Sequence, residues 1–477
     1  MSLRRAARTS GLCIAALPLV LLFGGLPTGL AQAEDATPPR LRVRPDSTYL
    51  ETMEGRPFFW MADTVWSGPA VATLDDWSTY LADRKAKRFN VVQFNAVCPW
   101  RVNHTDAEGN AAYTGRDPIA INERYFARLD KYYDAIERHG LVAAPVLIWA
   151  HRAGDAGVEL SEADCIRLAR YQVERYKHRS VVWILAGDNR YSPEESARWQ
   201  RIGRAVFADR PEAVVTTHPT GMNWPWEQHG WRDEKWLSFL GYQSGHGDGD
   251  KTFAWIHSGP LVKAAQVRPA RPIINFEPPY EGHVAYQSKQ PHDAYSVRRA
   301  SYWSLLSTPP AGITYGAHGI WSWQTESGQT PADHNGSGIA KRWDDAQRLP
   351  GSEQMSTLVE LFTGMDFPWW QLRPAQAWLR TQPGRDDPAK FVAIAADDEG
   401  KSFIAYLPRG GIVELDPSRL GQVVYAPWWH DPEGKEDSLM AVPNAPGRFT
   451  APSNSKDWLL IGGRPPYEWQ KKFLPRP

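Results

Sequence analysis

From about residue 45 to residue 370 the apolar positions fall into two alternating kinds of segment. Short, nearly continuous hydrophobic runs, such as Leu141–Trp149, are followed by longer stretches in which apolar residues recur every three or four positions, such as Leu129, Tyr132, Tyr133 and Ile136. A parallel strand covered on both faces needs the first pattern, and one face of a helix gives the second. The runs predict strands at Pro57–Met61 (ending on Ala62-Asp63-Thr64), Phe89–Asn95, Leu141–Trp149, Val181–Arg190, Val214–Thr217, Phe239–Gln243, Pro272–Phe276 and Gly319–Trp323. Helices are predicted at Leu74–Lys87, Tyr125–Gly140, Glu162–Tyr176, Glu194–Ala208, Thr252–Val267 and Ala294–Ser307, with only a short Trp-rich connection between strands five and six.

Eight strands alternating with helices over about 320 residues predict an α/β fold, a (β/α)8 TIM barrel. A doubly wound open sheet is the alternative, weakened because no G-x-G-x-x-G follows the first strand. Beyond about residue 373 the pattern becomes short strands at Phe391–Ala395, Ser402–Leu407, Ile412–Leu415, Gln422–Tyr425 and Trp458–Ile461, separated by Gly, Pro and Asp turns. That composition predicts a small all-β sandwich domain, 373–477, behind a barrel domain over 44–372.

Residues 1–33 have the pattern of an export signal: Arg4, Arg5 and Arg8, an apolar run from Leu12 to Phe23, and Ala31-Gln32-Ala33 at the cleavage position. The run holds Pro18, is closed by Gly24-Gly25 and is shorter than the roughly 20 residues of a membrane span. The expectation is a periplasmic or extracellular protein with no membrane attachment after the signal is removed. Of 54 basic side chains the signal carries three, so the mature chain, with 54 acidic ones, has a net charge of about −3. Nothing there attracts nucleic acid. Cys98 and Cys165 remain after cleavage, with no spacing that requires a bridge. The 23 Trp residues are many for this length; indole faces stack on sugar rings as well as filling cores.

In such a barrel the carboxyl ends of the strands converge on one face. The residues there are Asp63, Asn95, His151, Asp188, His218, Gln243 with His246, Glu277, and Trp321 with Trp323. Asp188 could cap a helix, hold a turn or do chemistry. Ser192-Pro193-Glu194-Glu195 already supplies a complete helix start four residues later, which removes the first role. Gly187-Asp188-Asn189 keeps the turn reading open. Glu277 precedes Pro278-Pro279, which hold it extended at a rigid strand edge, with Glu281 as a competing carboxylate beyond them. Two carboxylates across one mouth are what glycoside hydrolysis needs, with the less polar site keeping its proton. Asp188, at the end of an apolar strand, is expected to be that acid and Glu277 the ionised partner. No G-x-S-x-G, H-E-x-x-H or G-x-x-x-x-G-K-[ST] motif is present, and neither a metal nor another cofactor is expected. Asp63, Trp66, Asn95, His218, Gln243, His246, Tyr280 and Trp321 are the candidates for lining a sugar pocket.

These stretches, in order, make the chain recognisable. Pro57–Trp66, Ala186-Gly187-Asp188-Asn189, Tyr242–His246, Asn275–Glu281, Thr314–Trp321, Ile404–Pro408 and Trp428–Pro432 resemble the apiosidase-like glycoside hydrolases, a family with a (β/α)8 domain and a C-terminal β-sandwich labelled collagen-binding. The resemblance implies a retaining glycosidase with Asp188 as acid/base and Glu277 as nucleophile. One departure from the wider clan of such barrels is Gly-Asp-Asn after strand four where most carry Asn-Glu. The shorter acid suits a smaller sugar, a furanose such as apiose or arabinose, in a plant cell-wall saccharide. The rival readings are a cellulase-like endoglucanase and a catalytically silent carbohydrate- or matrix-binding protein.

Overall fold

The computed structural model describes residues 37–97, 105–365, 368–423, 425–436 and 438–464. The export signal, Cys98 and the Pro-bearing tail lie outside the described residues. Among the described residues no helix is long and apolar enough to cross a membrane.

Eight parallel strands form the first sheet: β1 Trp60–Thr64, β2 Val91–Asn95, β3 Val142–Trp149, β4 Trp183–Asn189, β5 Val215–Pro219, β6 Leu240–Gln243, β7 Ile273–Glu277 and β8 Gly312–Gly316. Their order around the sheet is β5-β4-β3-β2-β1-β8-β7-β6. The seam between β5 and β6 closes through Thr216, whose hydroxyl donates to Phe239 O (2.9 Å) and accepts from Gly241 N (3.1 Å). The TIM barrel is therefore observed. The helices packed around it include α1 Leu74–Ala86, α2 Glu123–Arg138, α3 Glu162–Tyr176, α4 Pro193–Phe207, α5 Asp250–Ser258, α6 Ala294–Ser307 and α7 Pro350–Gly364.

Alternation along the strands divides the core into two layers. Trp60, Ala62, Val91, Ala144, Val146, Ile184, Phe239 and Phe276 fill the barrel interior, where Trp60 and Phe276 stack at 5.2 Å. Leu41, Leu50 and Phe58 join that cluster from a three-stranded antiparallel sheet (Leu41–Arg42, Leu50–Thr52, Pro57–Phe58), which plugs the amino-terminal mouth. Pro57–Phe58 thus belongs to the plug, and β1 starts at Trp60, later than the apolar run suggests.

Strand eight departs further. The predicted Gly319–Trp323 is wound into a turn by local bonds from Ile320 N and Trp321 N to Ala317 O and from Trp323 N to Ile320 O. The strand is Gly312–Gly316, registered residue for residue on β1. It was hidden because glycines bound it; Gly312 has φ +132°, and a Cβ there would lie 2.1 Å from Trp60 O. The predicted helix Thr252–Val267 is broken at Gly259-Pro260, where Pro260 lacks the N–H a continuing helix needs.

The carboxy-terminal region is a six-stranded antiparallel sheet in the order Arg373–Pro374, Ala393–Ala396, Phe403–Leu407, Trp458–Gly462, Trp428–His430, Leu439–Met440, with a second sheet of Ile412–Glu414 and Arg448–Thr450. This is the predicted β-sandwich in class, with different strands. Gln422 and Val423 form no strand, whereas Trp428–His430 does, pairing with Trp458–Gly462. Helix α6 docks it: Tyr302 stacks on Tyr406 at 4.9 Å, and Arg298, 1% exposed, grips Asp457, 0% exposed, at 2.8 and 2.7 Å. Tyr406 also donates to Asp457 (2.8 Å). Asp457→Ala leaves a buried guanidinium with the neutral Gln354 Oε1 and Glu433, 3.4 Å away, as partial compensation. It is expected to cost about 3 kcal/mol, read as a lowered midpoint in urea unfolding.

Candidate active site

Four consecutive strands, β4 to β7, each deliver one polar side chain to the carboxyl-terminal mouth: Asp188, His218, Gln243 and Glu277. Asp188 has φ +53°, a left-handed conformation that Asp tolerates better than most residues. The β4–β5 register slips around His218, which pairs with Gly187 while Pro219 pairs with Asn189. Such a bulge re-aims a side chain. Gly187 is required beside it, because a Cβ would lie 2.2 Å from the Trp149 ring. Ser192 caps α4 as the sequence implies, accepting from Glu195 N, so Asp188 is free of that task.

The fully buried His218 stands between the two carboxylates. Its Nδ1 is 3.4 Å from Asp188 Oδ1 and its Nε2 is 3.5 Å from Glu277 Oε2. Neither contact has hydrogen-bond geometry, so the interaction is one of charge. Burial pulls the imidazole pKa down, but Asp188 and Glu277 outweigh it and leave the value raised above 6.5. Gln243 Nε2 donates to Asp188 Oδ1 at 3.3 Å and supports Glu277 as well.

Glu277 is 5% exposed, and burial pushes its carboxyl above 4.5 against the charge of His218 and hydrogen bonds from Tyr280 and Gln243. A further donor is His246. Tyr280 N–H donates to His246 Nδ1 (3.3 Å), so the ring proton sits on Nε2 and is given to Glu277 Oε1 at 3.0 Å. Burial, with His292 nearby, holds His246 down to about 3, making this a neutral imidazole's hydrogen bond rather than an ion pair.

The burial pattern reverses one expectation. Asp188, at 19% side-chain exposure, is the wetter carboxylate and Glu277 the drier. An apolar strand does not bury Asp188, its next-to-last residue, when a bulge lifts that residue into the mouth.

Aromatic side chains wall the site. Trp66 donates to Tyr280 OH (3.1 Å) and meets Trp149 and His218 edge-on at 5.3 and 5.4 Å. Trp321, on the turn after β8, donates to His318 Nδ1 (3.1 Å) and lies 6.4 Å from the Tyr280 ring. Both side-chain polar atoms of Asn95 are buried and have no hydrogen bond among the described residues.

Asp63 is not brought to this group. It points outward from β1, wholly buried, to Arg84 (2.5 Å) and Tyr80 (2.8 Å) of α1, so the sugar-ligand role proposed for it does not fit its position. Glu281 is also spoken for, accepting from Tyr315 OH (2.6 Å) and from Gly351 N at the start of α7 (2.9 Å). Trp323 stacks on Trp343 at 4.8 Å within the outer core. His151 reaches only the backbone oxygen of Asp188 (3.1 Å). Cys165 is free and buried, its thiol pushed up to about 11 by burial.

Sequence reasoning missed Trp149 and the histidines behind His246. His283 stacks on His246 at 4.0 Å, and His292 Nε2 lies 3.0 Å from His246 O. The available signal was the density of histidine after strands six to eight. Also unforeseen is a groove of 690 Å³ whose lining includes Arg190, two residues beyond Asp188, with Thr220, Asn223, Trp224, Trp255 and Lys263.

No curated protein matches the chain. Among solved structures, a glycoside hydrolase is 23% identical with a TM-score of 0.72, over 89% of this chain and 97% of that one. A family 5 glycoside hydrolase from Bacteroides vulgatus is 21% identical with a TM-score of 0.72, over 91% and 97%. These likenesses establish the shared fold. The apiosidase-like catalytic domain model matches residues 44–371. With that match covering well over half of its length, the chain belongs to the apiosidase-like family and is a glycoside hydrolase.

Proposed function

We propose that the protein is a retaining glycosidase in which Glu277 is the nucleophile and Asp188 the general acid and base. The observation that carries this is His218, one imidazole with a different carboxylate at each nitrogen. An imidazole that meets both acids supports placing them at a single glycosidic bond. Glu277 is surrounded by donors, His246, Gln243 and Tyr280, which favour its charge despite burial. It attacks the anomeric carbon as the bond to the leaving oxygen breaks, and that oxygen takes the proton of Asp188. Water then gives a proton back to Asp188 and displaces Glu277. The wetter position of Asp188 suits a group that must meet solvent in the second step. The charge of His218 favours the ionised form of Glu277, which is the form that attacks.

The leaving group lies on the acid's side of the bond, and Arg190, two residues beyond Asp188, lines the Trp224 and Trp255 groove. A groove of that size points to a saccharide leaving group. The short Asp188 favours a furanosyl unit at the cleaved bond, of the apiosyl or arabinosyl kind, in a plant cell-wall saccharide. With its signal-like leader the protein works outside the cytoplasm.

A polysaccharide and oligosaccharide screen, run beside matched furanosyl and pyranosyl aryl glycosides, tests this reading. Equal rates on both ring sizes count against the furanose assignment. Trp255→Ala is expected to raise KM for the polymer about tenfold, a loss of about 1.4 kcal/mol, while leaving kcat on the aryl furanoside near wild type. An unchanged polymer KM would move the leaving group elsewhere.

A further inference from the structure

The amino-terminal face of the barrel, opposite the catalytic mouth, carries two adjoining cavities that share Arg44, Pro45, Asp46 and Ala270. The larger, 440 Å³, is framed by the loops that lead into β5, β6 and β7; the smaller, 360 Å³, extends to Arg268 and Arg373. Together they are lined by Arg44, Arg210, Lys235, Arg268, Arg271 and Arg373 against a single acid, Asp46. Since the whole chain has 54 basic and 54 acidic side chains, this excess is local.

Part of the charge is already matched. Glu51 holds Arg44 at 2.6 and 2.5 Å, and Glu174 and Asp209 hold Arg210. Asp46 accepts from Ala270 N (2.6 Å) and reaches Arg268 only at 3.8 Å. Among the described residues Arg373 binds only the backbone oxygens of Trp370 and Leu372, each at 2.9 Å. Arg271 likewise has only Arg232 O (2.9 Å) and Glu234 O (3.3 Å), and its buried Nη1 has no partner among the described residues. Burial and the neighbouring charge of Arg232 hold the Arg271 pKa below its ordinary value. Asp233 and Glu234 act on Arg271 only through their charge, and a half-buried guanidinium with no carboxylate bonded to it is stabilised by any anion that settles beside it. Phe207, Trp236 and Leu237 give the larger cavity an apolar side.

We propose that these cavities form a second, non-catalytic saccharide site that takes a uronate-bearing polysaccharide strand. Spaced cations across two adjoining cavities match the repeated carboxylates of such a strand better than one compact anion. The apolar side meets the C–H faces of the sugar rings, and Lys235, Arg271 and Arg373 meet the carboxylates. Because the site is on the face opposite Asp188 and Glu277, occupancy tethers the enzyme without blocking turnover.

The test is native affinity electrophoresis of the full chain through gels holding polygalacturonate, alginate or dextran, with wild type and Lys235→Glu/Arg373→Glu. Lys235 is exposed and Arg373 half-buried, and unchanged turnover of an aryl glycoside verifies the fold. The expected result is retardation by both polyuronates and not by dextran, weakened at least tenfold in the double variant and by added salt. No retardation, or equal retardation of wild type and variant, overturns the proposal. So does competition by inorganic phosphate at a concentration at which equal ionic strength of NaCl has no effect, which would identify a compact-anion site.

Discussion

Glu277→Gln is expected to lower kcat by at least about 10⁴-fold, because a nucleophile's loss removes the covalent pathway as a whole. The replacement keeps the shape of the side chain, and its carbonyl oxygen still accepts the His246 proton now given to Glu277 at 3.0 Å. The folded stability should therefore change little, and substrate binding should survive. The complementary variant, Glu277→Ala, opens space beside the anomeric carbon. Azide added to it should restore turnover and yield a glycosyl azide of inverted configuration. Glu277→Ala that stays inactive with azide while wild type inverts its product would make Glu277 the base of an inverting enzyme. The pH profile carries a second signature. Burial raises the Glu277 carboxyl above 4.5, so kcat/KM should fall tenfold per unit as pH drops through that raised value. An acidic limb centred below 4.5 would contradict the assignment.

The same residue shows where the sequence was legible. Uninterrupted apolar runs give six of the barrel strands to within three residues at either end, because a parallel strand covered on both faces tolerates little else. Strands one and eight differ for identifiable reasons. The run Pro57–Met61 serves two sheets, and Ile320–Trp323 has a period-two pattern but is closed into a turn by its own backbone bonds. The carboxyl-end rule then places Asp188, His218, Gln243 and Glu277 in one mouth from their strand positions alone.

What the strand pattern does not contain is the direction of a side chain at a strand's end. Asp63 and Asn95 occupy equivalent places in the sequence, yet one faces Arg84 of α1 and the other the mouth. Position relative to β1's inward residues, Trp60 and Ala62, decides it, and that register is set by the paired strands. The bulge at Asp188 is equally invisible, since it arises from how β4 meets β5. Tryptophan abundance mostly reports packing, the second of its two readings: Trp77, Trp199, Trp226, Trp231, Trp303, Trp323, Trp428 and Trp458 are fully buried.

Asp188→Asn is expected to separate the two halves of the reaction. Asn adopts the left-handed conformation seen at φ +53° as readily as Asp, so the backbone and the bulge should hold. What disappears is the proton. For a sugar leaving group, whose oxygen must be protonated as the bond breaks, turnover should fall by about 10²–10⁴-fold. For an aryl leaving group that departs as a stable phenolate, the first step needs no acid, so a burst of phenol should precede slow hydrolysis of the covalent intermediate. Asp188→Glu sharpens the case. It restores a carboxyl but extends it by one methylene from a strained backbone position, toward His218, whose Nδ1 already lies 3.4 Å from Asp188 Oδ1. If the reach of the acid is matched to a small furanosyl ring, the longer acid should remain at least about tenfold below wild type on the preferred substrate. Full activity in Asp188→Glu would show that the shorter side chain does not select the sugar, and the furanose assignment would lose its structural basis.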